Sequence, residues 1–251
     1  MNKLPQITLA FWIMKICATT LGETAGDLLS MTLNVGYAIS SLILISVFVL
    51  TLITQLMAKT YKPLLYWIVI LSTSTAGTTM SDFMDRTLDL GYATGSMILI
   101  AILLAIFSAW RLSGDSLNVS KVQTLRGEMF YWMAILFSNT LGTALGDYLA
   151  DDSGLGFAGG ALLIGSTIAV VLLKYFTKIS TVLLFWVAFV LTRPFGATLG
   201  DLMTKSHEKG GLDFGTIGSS AVLAGILLAM IVGASYAQKR YGTQHATAEL
   251  T

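Results

Sequence analysis

Apolar runs of about 20 residues alternate with short polar breaks along the whole chain. Eight such runs lie near 6–30, 37–58, 64–83, 92–112, 129–149, 157–176, 180–202 and 216–237. A helix of roughly 20 residues crosses a hydrocarbon core of about 30 Å, so each run predicts a membrane-spanning helix. Every second predicted helix also carries polar residues at four-residue intervals. The first has Lys15, Thr19, Glu23 and Asp27, and the third has Ser74, Thr78 and Asp82. The fifth has Asn139, Thr143 and Asp147, and the seventh has Arg193, Ala197 and Asp201. That spacing holds the polar groups on nearly one face of a helix.

The same pattern reveals an internal repeat. Trp12, Trp67, Trp132 and Trp186 each stand ten residues before a glycine, Gly22, Gly77, Gly142 or Gly196. Each glycine stands five residues before Asp27, Asp82, Asp147 or Asp201. Nine residues past the first three aspartates come Gly36, Gly91 and Gly156; in the fourth copy the interval to Gly215 is fourteen, an insertion of five. The copies occupy about 6–60, 61–112, 129–179 and 180–240. A linker at about 113–128 separates the two halves, and a polar tail at 241–251 is expected to be mobile. Small residues recur within the stripes as Gly22/Gly26, Gly77/Ser81, Gly142/Gly146 and Gly196/Gly200, a spacing that lets helices approach closely in lipid. Packing through these faces would turn the four polar stripes toward one another.

Composition agrees with a membrane protein. The chain is 55% hydrophobic and 12% charged, too apolar for an ordinary soluble domain. A net charge of +1 gives no electrostatic footprint for nucleic acid. Cys17 is the only cysteine, which excludes an intramolecular disulfide and a multi-cysteine metal site. Ten bases (Lys3, Lys59, Lys62, Arg111, Lys121, Arg126, Lys174, Lys178, Lys239 and Arg240) fall on the side of the termini, against Arg86, Lys205 and Lys209 on the other. By the positive-inside bias both termini are cytoplasmic. The expected fold is all-α: eight transmembrane helices forming four parallel-oriented hairpins, pseudo-symmetric about the membrane normal.

The candidate chemistry lies in the stripes. Their five acids, Glu23, Asp27, Asp82, Asp147 and Asp201, face two bases, Lys15 and Arg193, leaving a net charge of −3. An ionisable group at membrane depth costs on the order of 2.5–3.5 kcal/mol, so surplus acids call for protons, water or a bound cation. Thr19, Thr20, Ser74, Thr75, Thr78, Asn139, Thr140 and Thr143 add neutral oxygen donors. An all-oxygen set suits Mg²⁺, Mn²⁺ or Ca²⁺, and Met80 and Met84 beside Asp82 tilt the reading toward Mn²⁺. An aspartate at the end of a span also serves as a cap or sits at headgroup level, the bland alternative for each one taken singly.

Other residues receive structural readings. The tryptophans are expected to anchor at the membrane interface. Lys15 either snorkels with its stem in lipid or pairs with Glu23. Arg193 is expected to bridge to an aspartate, and the adjacent Pro194 to kink its helix. Asn34, Asp89 and Asp213 read as N-caps, with Gly154 in the same position of the third repeat. Asp85, Arg86, Asp151, Asp152 and Glu208 read as solvated loop charges. A-L-G-D at 144–147 lacks the preceding glycine and the partner motif of intramembrane aspartyl proteases, and no other catalytic signature is present. An enzyme is not expected.

The frame Trp-x9-Gly-x4-Asp followed by L-x-x-G-Y/F resembles a group of uncharacterised bacterial membrane-anchored proteins built from four copies of a repeat of unknown function. T-T-L-G-E-T-A-G-D at 19–27 and L-N-V-G-Y at 33–37 carry the resemblance, which runs from about Leu9 to Ala237. Repeat 4 departs from it, with Arg193–Pro194 where repeat 1 has Thr19–Thr20. The resemblance implies a bacterial inner-membrane protein and no particular activity. E-x-x-G-D is also loosely similar to the E-x-G-D of a cation-exporter family, with the spacing one residue longer. The functional expectation is a multi-pass transporter of a small cation, a divalent metal exported by proton exchange. Its partners are the bilayer, the cation and protons; its oligomeric state is left open. Two alternatives stay open: a proton-coupled exporter of an organic cation or other small molecule, and a non-transporting scaffold or sensor.

Overall fold

The structure, a computed structural model, describes residues 4–173 and 179–248; the side chains of 172–173 and 237–248 fall outside that description. Lys3, Lys174, Lys178 and the end of the polar tail therefore lie outside the described residues, as do the side chains of Lys239 and Arg240. Eight helices follow in order: α1 Leu9–Asp27, α2 Tyr37–Met57, α3 Pro63–Asp82, α4 Tyr92–Leu112, α5 Leu125–Asp147, α6 Gly156–Leu173, α7 Thr181–Thr204 and α8 Thr216–Ala248. No strand occurs among the described residues. The polar tail continues α8 as far as Ala248.

The first helices of the repeats form a closed inner ring. α1 packs on α3, α3 on α5, α5 on α7, and α7 back on α1. The second helices lie outside it, each against the first helix of the next repeat: α2 on α3, α4 on α5, α6 on α7 and α8 on α1. Four close glycine contacts set the ring's spacing. A Cβ on Gly22 would overlap Ser74, on Gly77 the Asn139–Thr140 backbone, on Gly142 the Arg193 side chain, and on Gly196 Thr19. One rule thus operates around the whole ring: the glycine of each repeat receives the residue seven past the tryptophan of the next. Gly26 against Thr78, Gly146 against Ala197 and Gly200 against Glu23 repeat it one turn further along.

Among the described residues four helices are long and apolar enough to cross a membrane, and not the eight expected: α2, α4, α7 and Thr216–Tyr236 of α8. Gly156–Val171 of α6 is apolar but shorter. α1, α3 and α5 have the length but not the apolarity. In α3 alone Ser72, Thr73, Ser74, Thr75, Thr78, Thr79 and Ser81 are all buried. The outer helices cover this polar ring. They expose rows of large apolar side chains, such as Leu42, Leu50, Met97, Leu104, Leu162 and Val222, and screen the polar inner ring.

The first three hairpin turns are built alike. The first helix ends at its aspartate and passes into one π-turn, closed by Leu33 N–H on the Leu28 carbonyl, Leu88 on Phe83 and Ser153 on Tyr148, each at 2.9 Å. In repeat 4 the corresponding bonds run from Leu212 to Leu202 and from Phe214 to Met203, at 2.7 and 2.9 Å, so the five extra residues loop out between them. Asn34, Asp89 and Asp213 are not N-caps. They sit in the left-handed region at φ 55°, 56° and 57°, as does Gly154 at 78°. Asn, Asp and Gly are the residues that adopt this conformation most readily. The N-cap positions of α2 and α4 are Gly36 and Gly91, with no side-chain cap.

The tryptophans pack inward, which corrects their reading as interface anchors. Trp67, Trp132 and Trp186 are buried, and Trp12 is half-buried. An aromatic residue precedes each one, and its ring meets the tryptophan of the next repeat. Phe11–Trp67, Tyr66–Trp132, Tyr131–Trp186 and Phe185–Trp12 lie at centroid distances of 5.7, 5.6, 6.0 and 5.7 Å. Aromatic pairs in this range add roughly 0.5–1.5 kcal/mol each beyond area burial. The linker is no loose seam either. Val119 and Val122 are buried in the core, and the Leu117 carbonyl accepts the Trp186 indole N–H at 3.0 Å.

Candidate functional site

The ring brings the four polar stripes together as tiers along its axis, leading from the aromatic layer to the hairpin turns. In the first tier Lys15 is fully buried. Its Nζ lies 3.4 Å from Asn139 Oδ1 and 4.0 Å from the centroid of the Phe189 ring. Neither expectation for Lys15 holds: it does not snorkel, and its partner is not Glu23. Asn139 Nδ2 in turn donates to Thr73 Oγ1 at 2.9 Å, tying α5 to α3.

One turn further, all four repeats meet at one point. Arg193 Nη1 donates to Glu23 Oε2 at 2.9 Å, and Nη2 donates to Thr78 Oγ1 at 2.6 Å and Thr143 Oγ1 at 2.7 Å. The two threonine hydroxyls also lie 3.3 Å from Glu23 Oε2. Arg193 thus bridges to the glutamate and not to an aspartate. α7 runs on through Pro194, whose ring lies against Gly142.

The third tier holds the four aspartates, each 2–3% exposed, and two bases that complete it. Arg86 Nε lies 3.0 Å from Asp82 Oδ1, and its Nη2 lies 3.1 Å from Asp147 Oδ2. Lys205 Nζ lies 2.7 Å from Asp27 Oδ2 and 3.0 Å from Asp201 Oδ1. Each base joins the aspartate of its own repeat to that of the next. Arg86 is therefore not a free loop charge. Asp85 is buried as well, accepting from Ser81 Oγ at 3.1 Å, and burial pushes its carboxyl above the usual range. Asp151, Asp152 and Glu208 are exposed, as expected.

The added bases revise the charge count. Arg86 and Lys205 stand four residues past Asp82 and Asp201, one step further along the stripes, where repeats 1 and 3 have Met31 and Asp151. Four bases then face the five buried stripe acids, which removes most of the expected −3, while Asp151 at the same step of repeat 3 is exposed. The four-residue spacing of the stripes thus continues one step past the aspartates in repeats 2 and 4. Burial disfavours the Lys205 ammonium, yet Asp201 and Asp27 more than offset this, holding it protonated well above the usual lysine range.

Not every proposed oxygen donor joins the cluster. Thr20, Thr75 and Thr140 bond back to carbonyls of their own helices, at Ile16, Leu71 and Leu136. Thr19 reaches the Thr192 carbonyl at 3.2 Å, and Ser74 Oγ has no hydrogen-bond partner. Carboxylate oxygens of Glu23, Asp27 and Asp201 lie within 4.8 Å of one another, the one metal-compatible group of three among the described residues. Oxygens at that spacing suit a hard cation with bonds of roughly 2.0–2.6 Å. The group belongs to repeats 1 and 4, whereas Met80 and Met84 belong to repeat 2. The sulfur preference for Mn²⁺ therefore has no support from it.

Fold and site together define a pseudo-fourfold helical bundle with a charged, buried axis and an apolar exterior. The family model described as Repeat of Unknown Function (DUF347) matches four times, at residues 10–61, 65–116, 130–180 and 184–241, and the chain belongs to this family. No curated protein and no solved structure matches it.

Proposed function

We propose that all eight helices cross a bacterial inner membrane with both termini cytoplasmic, and that the bundle carries a small divalent cation along its axis, outward in exchange for protons. The carrying observation is the group formed by Glu23, Asp27 and Asp201, oxygen ligands gathered from two repeats where lipid would otherwise exclude them. Asp82 and Asp147 form the matching half, and Thr78 and Thr143 hold Arg193 in the tier before them. Mg²⁺, Mn²⁺ and Ca²⁺ all fit an oxygen set, and Mn²⁺ serves as the probe. The test is Mn²⁺ flux in proteoliposomes with an imposed pH gradient, comparing the wild type with Asp27→Asn and Asp147→Asn. Unchanged flux in both variants removes the reading.

One observation favours organic cations as the alternative cargo. An ammonium already sits between Asp27 and Asp201, and a guanidinium between Asp82 and Asp147, so both pairs accommodate such groups. Proton-driven flux of a small alkylammonium, with none for Mn²⁺, would select this reading.

A further inference from the structure

The two aspartate pairs are held by bases of different character. Arg86 binds through two nitrogens of a planar guanidinium and lies 5.6 and 6.0 Å from the ring centroids of Tyr92 and Tyr37. A guanidinium stays charged and grips carboxylates in a fixed geometry. Lys205 offers a single ammonium on a flexible stem. It stands at the head of the five-residue insertion that only repeat 4 possesses, between the end of α7 and the exposed His207–Gly210 segment. Its side chain is 17% exposed, so it already reaches the outside, and its nitrogen contacts the buried carboxylates of Asp27 and Asp201. Its two carboxylate contacts, 2.7 Å to Asp27 Oδ2 and 3.0 Å to Asp201 Oδ1, both rest on that one nitrogen.

We propose that Lys205 is a tethered counter-cation: it occupies the Glu23–Asp27–Asp201 group when no cargo is bound, and swings out on the repeat-4 loop when a divalent cation enters. The inference rests on the cation-carrier reading and assigns its selectivity. With Arg193 and Lys205 in place, the three carboxylates carry a net charge of −1. Replacing the ammonium by a divalent cation brings the group to zero, whereas a monovalent cation leaves −1 and gains nothing. Discrimination against Na⁺ and K⁺ thus comes from the competitor built into the chain. The Arg86 half, with Thr78 and Thr143 in place of a third acid, is the fixed half.

The test is Mn²⁺ binding to the full chain in nanodiscs, read by the paramagnetic resonance of free Mn²⁺, with and without Na⁺ at constant ionic strength. Lys205→Gln is expected to bind Mn²⁺ about tenfold more tightly, because the fraction of molecules with an open site rises. It should also become sensitive to Na⁺, which leaves the wild type unaffected. Lys205→Arg keeps a permanent charge in the site and is expected to bind more weakly than wild type. Lys209→Gln, an exposed charge in the same insertion, should match wild type. Equal binding by wild type and Lys205→Gln overturns the inference and leaves the carrier standing; should that variant fold poorly, binding by Lys205→Arg at or above the wild-type level overturns it instead. No Mn²⁺ bound by any form removes the carrier reading and this inference with it.

Discussion

Arg193 and Glu23, 170 residues apart, form an ion pair at 2.9 Å with side chains 0% and 4% exposed. Removing one partner strands a charge in a sealed interior, which typically costs about 3–5 kcal/mol. Glu23→Gln and Arg193→Gln are each expected to lose stability on that scale in detergent. The double variant should lose clearly less than the sum, because neither charge is then left alone. Strict additivity in thermal unfolding would mean that the pair is not coupled.

Gly77 tests the ring's closeness. A Cβ there would lie 2.9 Å from the Asn139 and Thr140 backbone, which cannot rotate away. Gly77→Ala should cost about 1–3 kcal/mol through overpacking. Gly218, in α8, has nothing within 4 Å, and its alanine variant should be neutral or slightly stabilising. Equal melting temperatures for the two variants would count against the helix spacing described.

The turn residues make a third test. Asn34 at φ 55° and Asp89 at φ 56° should tolerate glycine. Valine at either position should lose about 1–2 kcal/mol, the usual left-handed penalty for a side chain branched at Cβ. If Asn34 were a cap instead, serine would serve as well as asparagine in unfolding experiments, whereas a left-handed position penalises serine and tolerates glycine.

Lys205 gives a pH prediction. Its folded-state value lies above its unfolded one, so its ion pairs contribute fully below an ordinary lysine pKa of about 10.4 and are lost only as pH rises through the raised value. The stability gap between wild type and Lys205→Gln should therefore stay open from pH 7 to 9 and shrink only under stronger alkali. A gap that closes already between pH 7 and 9 would show that the ammonium is not held as described.

The repeat, the helical class and the inward turn of the stripes were legible in the sequence, because four-residue spacing and paired small residues fix one face of a helix before any partner is known. The place of Arg86 and Lys205 was less so. Both stand past the end of the regular helix, where a π-turn or an insertion redirects the chain, and periodicity no longer says which way a side chain points. The inward turn of the tryptophans was likewise hidden, since an aromatic near a helix end suits either lipid headgroups or a neighbouring ring.

What the amino-acid order determined by itself was local: eight helices, their breaks and the residues sharing a face. What only the tertiary structure decided was pairing across repeats. Closing α7 onto α1 brings Asp27 to Lys205 and Glu23 to Arg193, partners separated by most of the chain. Charge interactions fall off with distance in space and not with distance along the chain, so whether five buried acids were in surplus depended on that closure.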